Sequence, residues 1–274
     1  MNPIAFKLFG FEVAWYGVMI TIGVLIALAV AYYNTTRGDR DVDFDHITDA
    51  FLYAFPLALV GARLYYVFFE WEQYSGNFAK ILDVRGGGLA IHGGIIGAAI
   101  GVLIYKIVSK KPGSYILRMV DAAAPSMILA QAIGRWGNFF NQEAHGGPVS
   151  EAFIQNFPEF IQKGMLINGT YYHPTFLYES IWNLIVFAVL MYLYGKRKKN
   201  QEGTIFYWYL ILYSIGRYFI EGMRTDSLMF LGMRQAQLFS LVSILAGAAL
   251  LVYKIQKSKK EDLTAQAVEK EKKQ

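Results

Sequence analysis

The chain has 274 residues, of which 55% are hydrophobic and 16% aromatic but only 17% charged. That balance excludes an ordinary soluble domain, where about a quarter of the residues are charged, and it marks a polytopic membrane protein. Despite a net charge of +5 there is no cysteine, which excludes disulfides, thiolate metal sites and a thiol nucleophile supplied by the chain itself.

The first thirteen residues carry one lysine and no basic stretch ahead of a small-residue cleavage site, so the first apolar run reads as a retained helix rather than a signal peptide. With roughly 20 apolar residues needed to cross the hydrocarbon, seven spans are expected, at 14–33, 47–69, 89–108, 119–140, 175–194, 204–220 and 236–253. The fold class is therefore all-α, polytopic, with about seven transmembrane helices. The third span is rich in glycine and the sixth holds Arg217 within it.

Ahead of the second span, Asp41-Val42-Asp43-Phe44-Asp45-His46 looks like the start of a calcium loop. It fails at the sixth position, His46 instead of glycine, and at the twelfth, Leu52 instead of glutamate, so it reads as a cytoplasmic helix cap. The third span opens on Gly86-Gly87-Gly88 and His92-Gly93-Gly94-Ile95-Ile96-Gly97, where the glycines suit either close helix packing or close approach of a ligand. His92 is a proton acceptor near neutral pH, and His173, in Tyr171-Tyr172-His173-Pro174-Thr175, is the competing base, although His-Pro also serves as a turn into a helix.

The fourth span ends in Gly134-Arg135-Trp136-Gly137-Asn138-Phe139-Phe140-Asn141-Gln142-Glu143-Ala144-His145-Gly146, which sets an arginine, asparagines and a glutamate against an apolar run. Ionisable groups at membrane depth cost about 3 kcal/mol on insertion scales, so they mark a site. A planar guanidinium beside amides and a carboxylate suits a phosphate or carboxylate, which it binds through two parallel hydrogen bonds. The following connection, 141–174, contains Pro148, Pro158, Gly164 and Gly169 and is expected to form a small extracytoplasmic head. Within it, Asn168-Gly169-Thr170 fits a glycosylation acceptor, a three-residue match too weak to use. In the sixth span Tyr213, Arg217 and Glu221 recur at i, i+4 and i+8, with Arg224 three further on, giving one polar stripe. A salt bridge between helices would produce the same spacing. The Lys/Glu-rich tail, 257–274, is expected to be unstructured and cytoplasmic, beyond a single membrane-embedded catalytic domain at 1–256.

Seventeen of the 26 Lys and Arg residues fall in the loops of one side and six on the other, with Arg63, Arg135 and Arg217 inside spans. The positive-inside rule then puts the N-terminus outside and the C-terminus in the cytoplasm. On that orientation Arg63, His92, Arg135, Asn138, Glu143, His173, Arg217 and Glu221 all lie near the outer face.

The stretch from Gly134 to Glu143, preceded by Asp121…Ala124-Pro125 and His92-Gly93-Gly94, resembles the signature of the bacterial prolipoprotein diacylglyceryl transferase family. The similarity extends to Trp15-Tyr16-Gly17, Gly61-Ala62-Arg63, His173-Pro174-Thr175…Tyr178-Glu179 and Tyr213…Arg217…Glu221…Arg224. The resemblance implies a multi-pass enzyme of the bacterial plasma membrane with its active site near the outer leaflet. Its substrates would be phosphatidylglycerol and the lipobox cysteine of a preprolipoprotein signal peptide, and its products a thioether and glycerol phosphate. It makes Arg135 and Arg217 the phosphate-binding pair and His92 the base. Tyr16, Asn138, Glu143, Gly146, Tyr213 and Glu221 support them, with Arg63 and Arg224 also at the lipid. It implies no metal, no cofactor and no nucleic acid.

Two other readings are separable on sequence. A transporter would show paired repeats and ionisable residues across the whole bilayer, whereas this charged set stops at the outer half. A CDP-alcohol phosphotransferase would need a metal-binding cluster of spaced aspartates around a glycine and an arginine, which this chain does not have.

Overall fold

The computed structural model describes residues 1–37, 42–83, 88–225, 229–230 and 232–272. In chain order the elements are β1 (Ile4–Leu8), β2 (Phe11–Ala14), α1 (Trp15–Arg37), α2 (Phe44–Phe69), α3 (Trp71–Tyr74), α4 (Phe78–Leu82), α5 (Ile91–Ser109) and α6 (Gly113–Asn141). They continue as β3 (Pro148–Val149), α7 (Glu151–Ile154), α8 (Glu159–Met165), β4 (Leu166–Ile167), β5 (Thr170–Tyr172), α9 (Thr175–Lys196), α10 (Thr204–Met223), β6 (Met229–Phe230), β7 (Met233–Arg234) and α11 (Gln235–Lys272). Asp41, Gly86 and Gly87 of the motifs above lie outside the described residues.

Seven long helices occupy the seven expected stretches. Six of them, α1, α2, α5, α6, α9 and the first part of α11, are long and apolar enough to cross a membrane. The exception is α10, whose 20 residues include four tyrosines, Arg217 and Glu221, which lower its mean hydropathy. The tail expected to be unstructured carries α11 on to Lys272. Lys, Glu and Ala are good helix formers, and extending an existing helix avoids the unfavourable nucleation step.

Contacts divide the chain into two compact units, Arg40–Met119 and Met1–Asp39 with Val120–Gln274, the division falling inside α6. In the first unit α2 begins at Asp43, whose carboxylate accepts from the Asp45 N–H as an N-cap. This is the helix cap expected there. Helix α5 lies against α2 along Gly93, Gly97 and Gly101; a Cβ on Gly101 would come 2.5 Å from Ala54 Cα, so packing fully accounts for that glycine.

In the second unit the N-terminus forms a hairpin the sequence reading did not anticipate. Phe9 and Gly10 take φ of 49° and 84°, the type I′ turn that matches the twist of paired strands. Helix α6 is the central element, half of its apolar window being buried. At one end of it Asp121, fully buried, accepts from the N–H groups of Gly203 at 2.7 Å and Phe206 at 2.9 Å and pairs with Arg197 at 3.5 Å. A carboxylate of α6 thus caps the N-terminus of α10 from a distance and fixes how far α10 advances along α6. Further along, Ser180 donates to the Ala132 carbonyl at 2.9 Å and Trp182 Nε1 to the Leu212 carbonyl at 2.9 Å, fastening α9 to α6 and α10.

The head is a three-stranded sheet in the order β3-β5-β4 with α7 and α8, packed on Phe139, Ile154, Ile161, Met165 and Phe176. Its β4–β5 turn is Asn168-Gly169 with φ of 49° and 80°, another type I′ turn, so the structure gives that dipeptide a plain conformational role.

Candidate active site

Where α6, α9 and α10 meet, three charged side chains interlock. Glu179, one turn into α9 and 3% exposed, forms an ion pair through one carboxylate oxygen with Arg135 NH2 from α6 at 3.0 Å and accepts on the other from Arg217 NH1 of α10 at 3.3 Å. Arg217 also donates through NH2 to Glu221, one helical turn on, and Arg224 NH1 stands 3.8 Å from the same carboxylate. Arg135 reaches outward as well, through NH1 to Asn138 Oδ1 at 3.3 Å, and Asn138 Nδ2 donates to Glu143 Oε1 at 2.9 Å. The Tyr213 hydroxyl joins Arg135 from α10.

Local sequence explains why these groups can gather. Tyr16, in the first turn of α1, lies over Gly137: a Cβ there would be 2.8 Å from the Tyr16 ring, so the glycine lets α1 approach α6 next to Asn138. Gly146 is hemmed in likewise, its Cβ position lying 2.7 Å from His173 Cβ and 3.2 Å from the Met223 carbonyl. Its backbone bridges to Arg224, and its N–H donates to the His173 carbonyl at 3.0 Å, so the head is stitched to the end of α10 where the arginines stand.

Counting Arg135, Arg217 and Arg224 against Glu179 and Glu221, this layer has one positive charge in excess, in partly buried surroundings where charge is weakly screened. Glu143 is exposed at its rim. An excess of guanidinium charge of this kind is chemically suited to an anion such as a phosphate. Among the described residues no group of three or more His, Asp or Glu side chains is disposed to hold a metal ion.

Of the residues expected at the site, Tyr16, Arg135, Asn138, Glu143, Gly146, Tyr213, Arg217, Glu221 and Arg224 all belong to this unit and gather as described. Arg63 and His92 belong to the other unit. Arg63, 5% exposed, donates through Nε to the Ile81 carbonyl, through NH2 to that of Lys80 and through NH1 to that of Gly88, at 2.9, 2.7 and 2.9 Å, and its guanidinium stacks 4.9 Å from the Tyr74 ring centre. It clamps the backbone of the α4 region. His92 is the second residue of α5, its ring 6.0 Å from that of Tyr65. His173 is tied into the head, with Nδ1 3.2 Å from the Tyr178 hydroxyl and its ring edge-on to Phe153.

Two participants escaped the sequence reading. Glu179 was quoted within a motif but given no part; the available signal was that it is the only charge in α9 before Lys196. Arg234, at the end of β7, donates through NH1 to the backbone carbonyl of Glu221, and nothing in its local sequence sets it apart.

Fold and site together define a polytopic membrane protein with an arginine-rich polar layer between its helices. Residues 3–253 match the family described as prolipoprotein diacylglyceryl transferase. The chain is 53% identical over 252 residues to the phosphatidylglycerol–prolipoprotein diacylglyceryl transferase of Clostridium novyi, covering 92% of this chain and 95% of that one. It is 54% identical over 260 residues to the Clostridium botulinum protein of the same name, covering 95% and 99%. A Clostridium perfringens relative, phosphatidylglycerol–prolipoprotein diacylglyceryl transferase 1, is 51% identical over 261 residues, covering 95% and 97%. The chain belongs to the prolipoprotein diacylglyceryl transferase family.

Proposed function

We propose that this protein transfers the diacylglyceryl group of phosphatidylglycerol to the lipobox cysteine of a preprolipoprotein, the first step of lipoprotein maturation. The observation that carries the reading is the convergence of Arg135 and Arg217 on Glu179, in a chain that matches the family over 3–253. The acceptor thiol loses its proton to a base, and the thiolate attacks the glyceryl carbon that bears the phosphate. A C–S bond forms, the C–O bond breaks, and glycerol phosphate leaves with the electron pair. Its growing charge falls to the guanidiniums, which then bind the transition state more tightly than the substrate. That this chain has no cysteine accords with a sulfur supplied by the acceptor. Incubating the purified protein with phosphatidylglycerol and a lipobox peptide should yield the thioether product by mass spectrometry; absence of transfer from well-folded protein overturns the reading.

The reaction takes place near the outer leaflet of the bacterial plasma membrane, within the membrane body 1–256, with the N-terminus outside and the C-terminus in the cytoplasm. The loop charges support that orientation. Reporter fusions at Asn200 and at the C-terminus are expected to read cytoplasmic and one at Pro158 external, and a cytoplasmic signal at Pro158 would refute the arrangement.

The role of His92 as base comes from the family resemblance, and the engagement of His173 with Tyr178 and the head backbone favours His92 of the two. His92→Gln removes the proton acceptor while keeping some hydrogen bonding, so the rate at neutral pH should fall about 10²-fold. Recovery of rate at higher pH would mark thiol deprotonation as the lost step, and an unchanged rate at neutral pH would eliminate His92.

A further inference from the structure

One helical turn inward of the arginine layer lies a second polar layer that the chemistry above does not use. Each of the three helices contributes to it at a spacing of four: Gln131 below Arg135 on α6, Asn183 beyond Glu179 on α9, and Tyr209 before Tyr213 on α10. The bonds from Ser180 to Ala132, from Trp182 to Leu212, and from Gln131 Nε2 to the Tyr209 hydroxyl at 2.9 Å keep the three in register.

This layer is short of partners. Asn183 is fully buried, and neither its amide nitrogen nor its amide oxygen is hydrogen-bonded among the described residues. Gln131 Oε1 is buried and unpaired too. Turning the Gln131 amide over would not help, because the tyrosine hydroxyl can engage only one of its two ends. Leaving two or three polar atoms unsatisfied at membrane depth is strongly unfavourable, since hydrocarbon offers them nothing.

We propose that Asn183 and Gln131 bind internal water between α6, α9 and α10, and that this hydrated layer positions the arginine site above it. Water is the ligand the chemistry selects. It must be small enough for a position with no exposure, and it must both donate, to amide oxygen, and accept, from the Asn183 amide nitrogen. A cation would face that amide's hydrogens, and a lipid ester offers no donor. The layer bears on the site through contacts already in place: the Tyr209 and Tyr213 rings stack nearly parallel, 10° apart with centres at 5.9 Å, and Gln131 and Asn183 stand one helical turn from Arg135 and Glu179 on the same helices. Asn183 is thus a positioning residue, acting through its neighbours, and the inference rests on the transfer reaction only for its kinetic consequence.

The test has a structural and a kinetic arm. An experimental map that shows ordered solvent should place density within hydrogen-bonding distance of the Asn183 amide and of the free end of the Gln131 amide. Direct protein partners for both, or no density there, overturn the proposal. In the transfer assay Asn183→Leu should lower kcat about tenfold through misplacement of the arginines, with little change in KM for phosphatidylglycerol. Asn183→Ser, which keeps a hydroxyl and leaves room for one more water, should restore most of the rate. A folded Asn183→Leu variant with wild-type kcat, or one that melts higher than wild type because an orphan amide has been removed, overturns it. If Asn183→Leu yields no folded protein, Asn183→Ser carries the kinetic arm, and its failure to turn over counts against the proposal. Should wild type itself show no transfer, the reaction is wrong and the structural arm still decides the water.

Discussion

Replacing Arg135 or Arg217 by lysine is expected to cut turnover at saturating phosphatidylglycerol by about 10²-fold while the variants still fold. Protein contacts fix both guanidiniums: Arg135 ion-pairs with Glu179 and donates to Asn138, and Arg217 pairs with Glu179 and Glu221. A lysine carries the same charge as a single point on a flexible stem and cannot offer a phosphate the two parallel hydrogen bonds of a guanidinium. Loss of about 3 kcal/mol of transition-state stabilisation corresponds to that factor, at 1.4 kcal/mol per decade. If the arginines served only to hold helices together, lysine would keep most of the activity, and alanine would chiefly reduce folded yield. Turnover and thermal stability in detergent, measured on the same preparations, separate the two. Fully active lysine variants at both positions would remove the phosphate clamp from the mechanism.

A larger effect on stability is expected from Glu179→Ala. One carboxylate neutralises two guanidiniums that arrive from different helices, and it is more deeply buried than either. Removing it leaves Arg135 without a carboxylate partner and Arg217 with Glu221 alone, and breaking a buried ion pair in this way costs about 3–5 kcal/mol. The melting transition in detergent should fall steeply, with Glu179→Gln intermediate because it keeps an acceptor and loses the charge. A Glu179→Ala protein that melts with wild type would show that the pair is held apart by the backbone alone.

What could be read from the sequence follows the range of each signal. Spans are written in twenty consecutive residues, and all seven long helices stand where apolar runs placed them, six of them qualifying outright. The i, i+4 stripe of Tyr213, Arg217 and Glu221 is equally local and emerged directly. Strands of two to five residues carry too little alternation to be seen, so the β1–β2 hairpin and the strands of the head were missed. Glu179 and Arg234 matter because of what other helices bring to them. In Arg63 the same limit worked the other way: a charge within a span announces a partner without saying whether it is a ligand or the carbonyls of Lys80, Ile81 and Gly88. The tail illustrates a composition compatible with both coil and helix, where the helix that precedes it decides.

The modest hydropathy of α10 bears on how the protein is made. A helix carrying Arg217 and Glu221 partitions poorly into lipid by itself, each charge opposing insertion by about 2.5–3.5 kcal/mol at mid-membrane. Arg217 and Glu221 pair with each other along the helix, the further partner of Arg217 is Glu179 on α9, and Asp121 on α6 caps the N-terminus of α10; both of those helices are synthesised earlier. During biogenesis α10 therefore meets helices already made, and the order of the codons becomes an assembly order: in a chain in which α10 preceded α6 and α9, Arg217 and Glu221 would have only each other until Glu179 arrived.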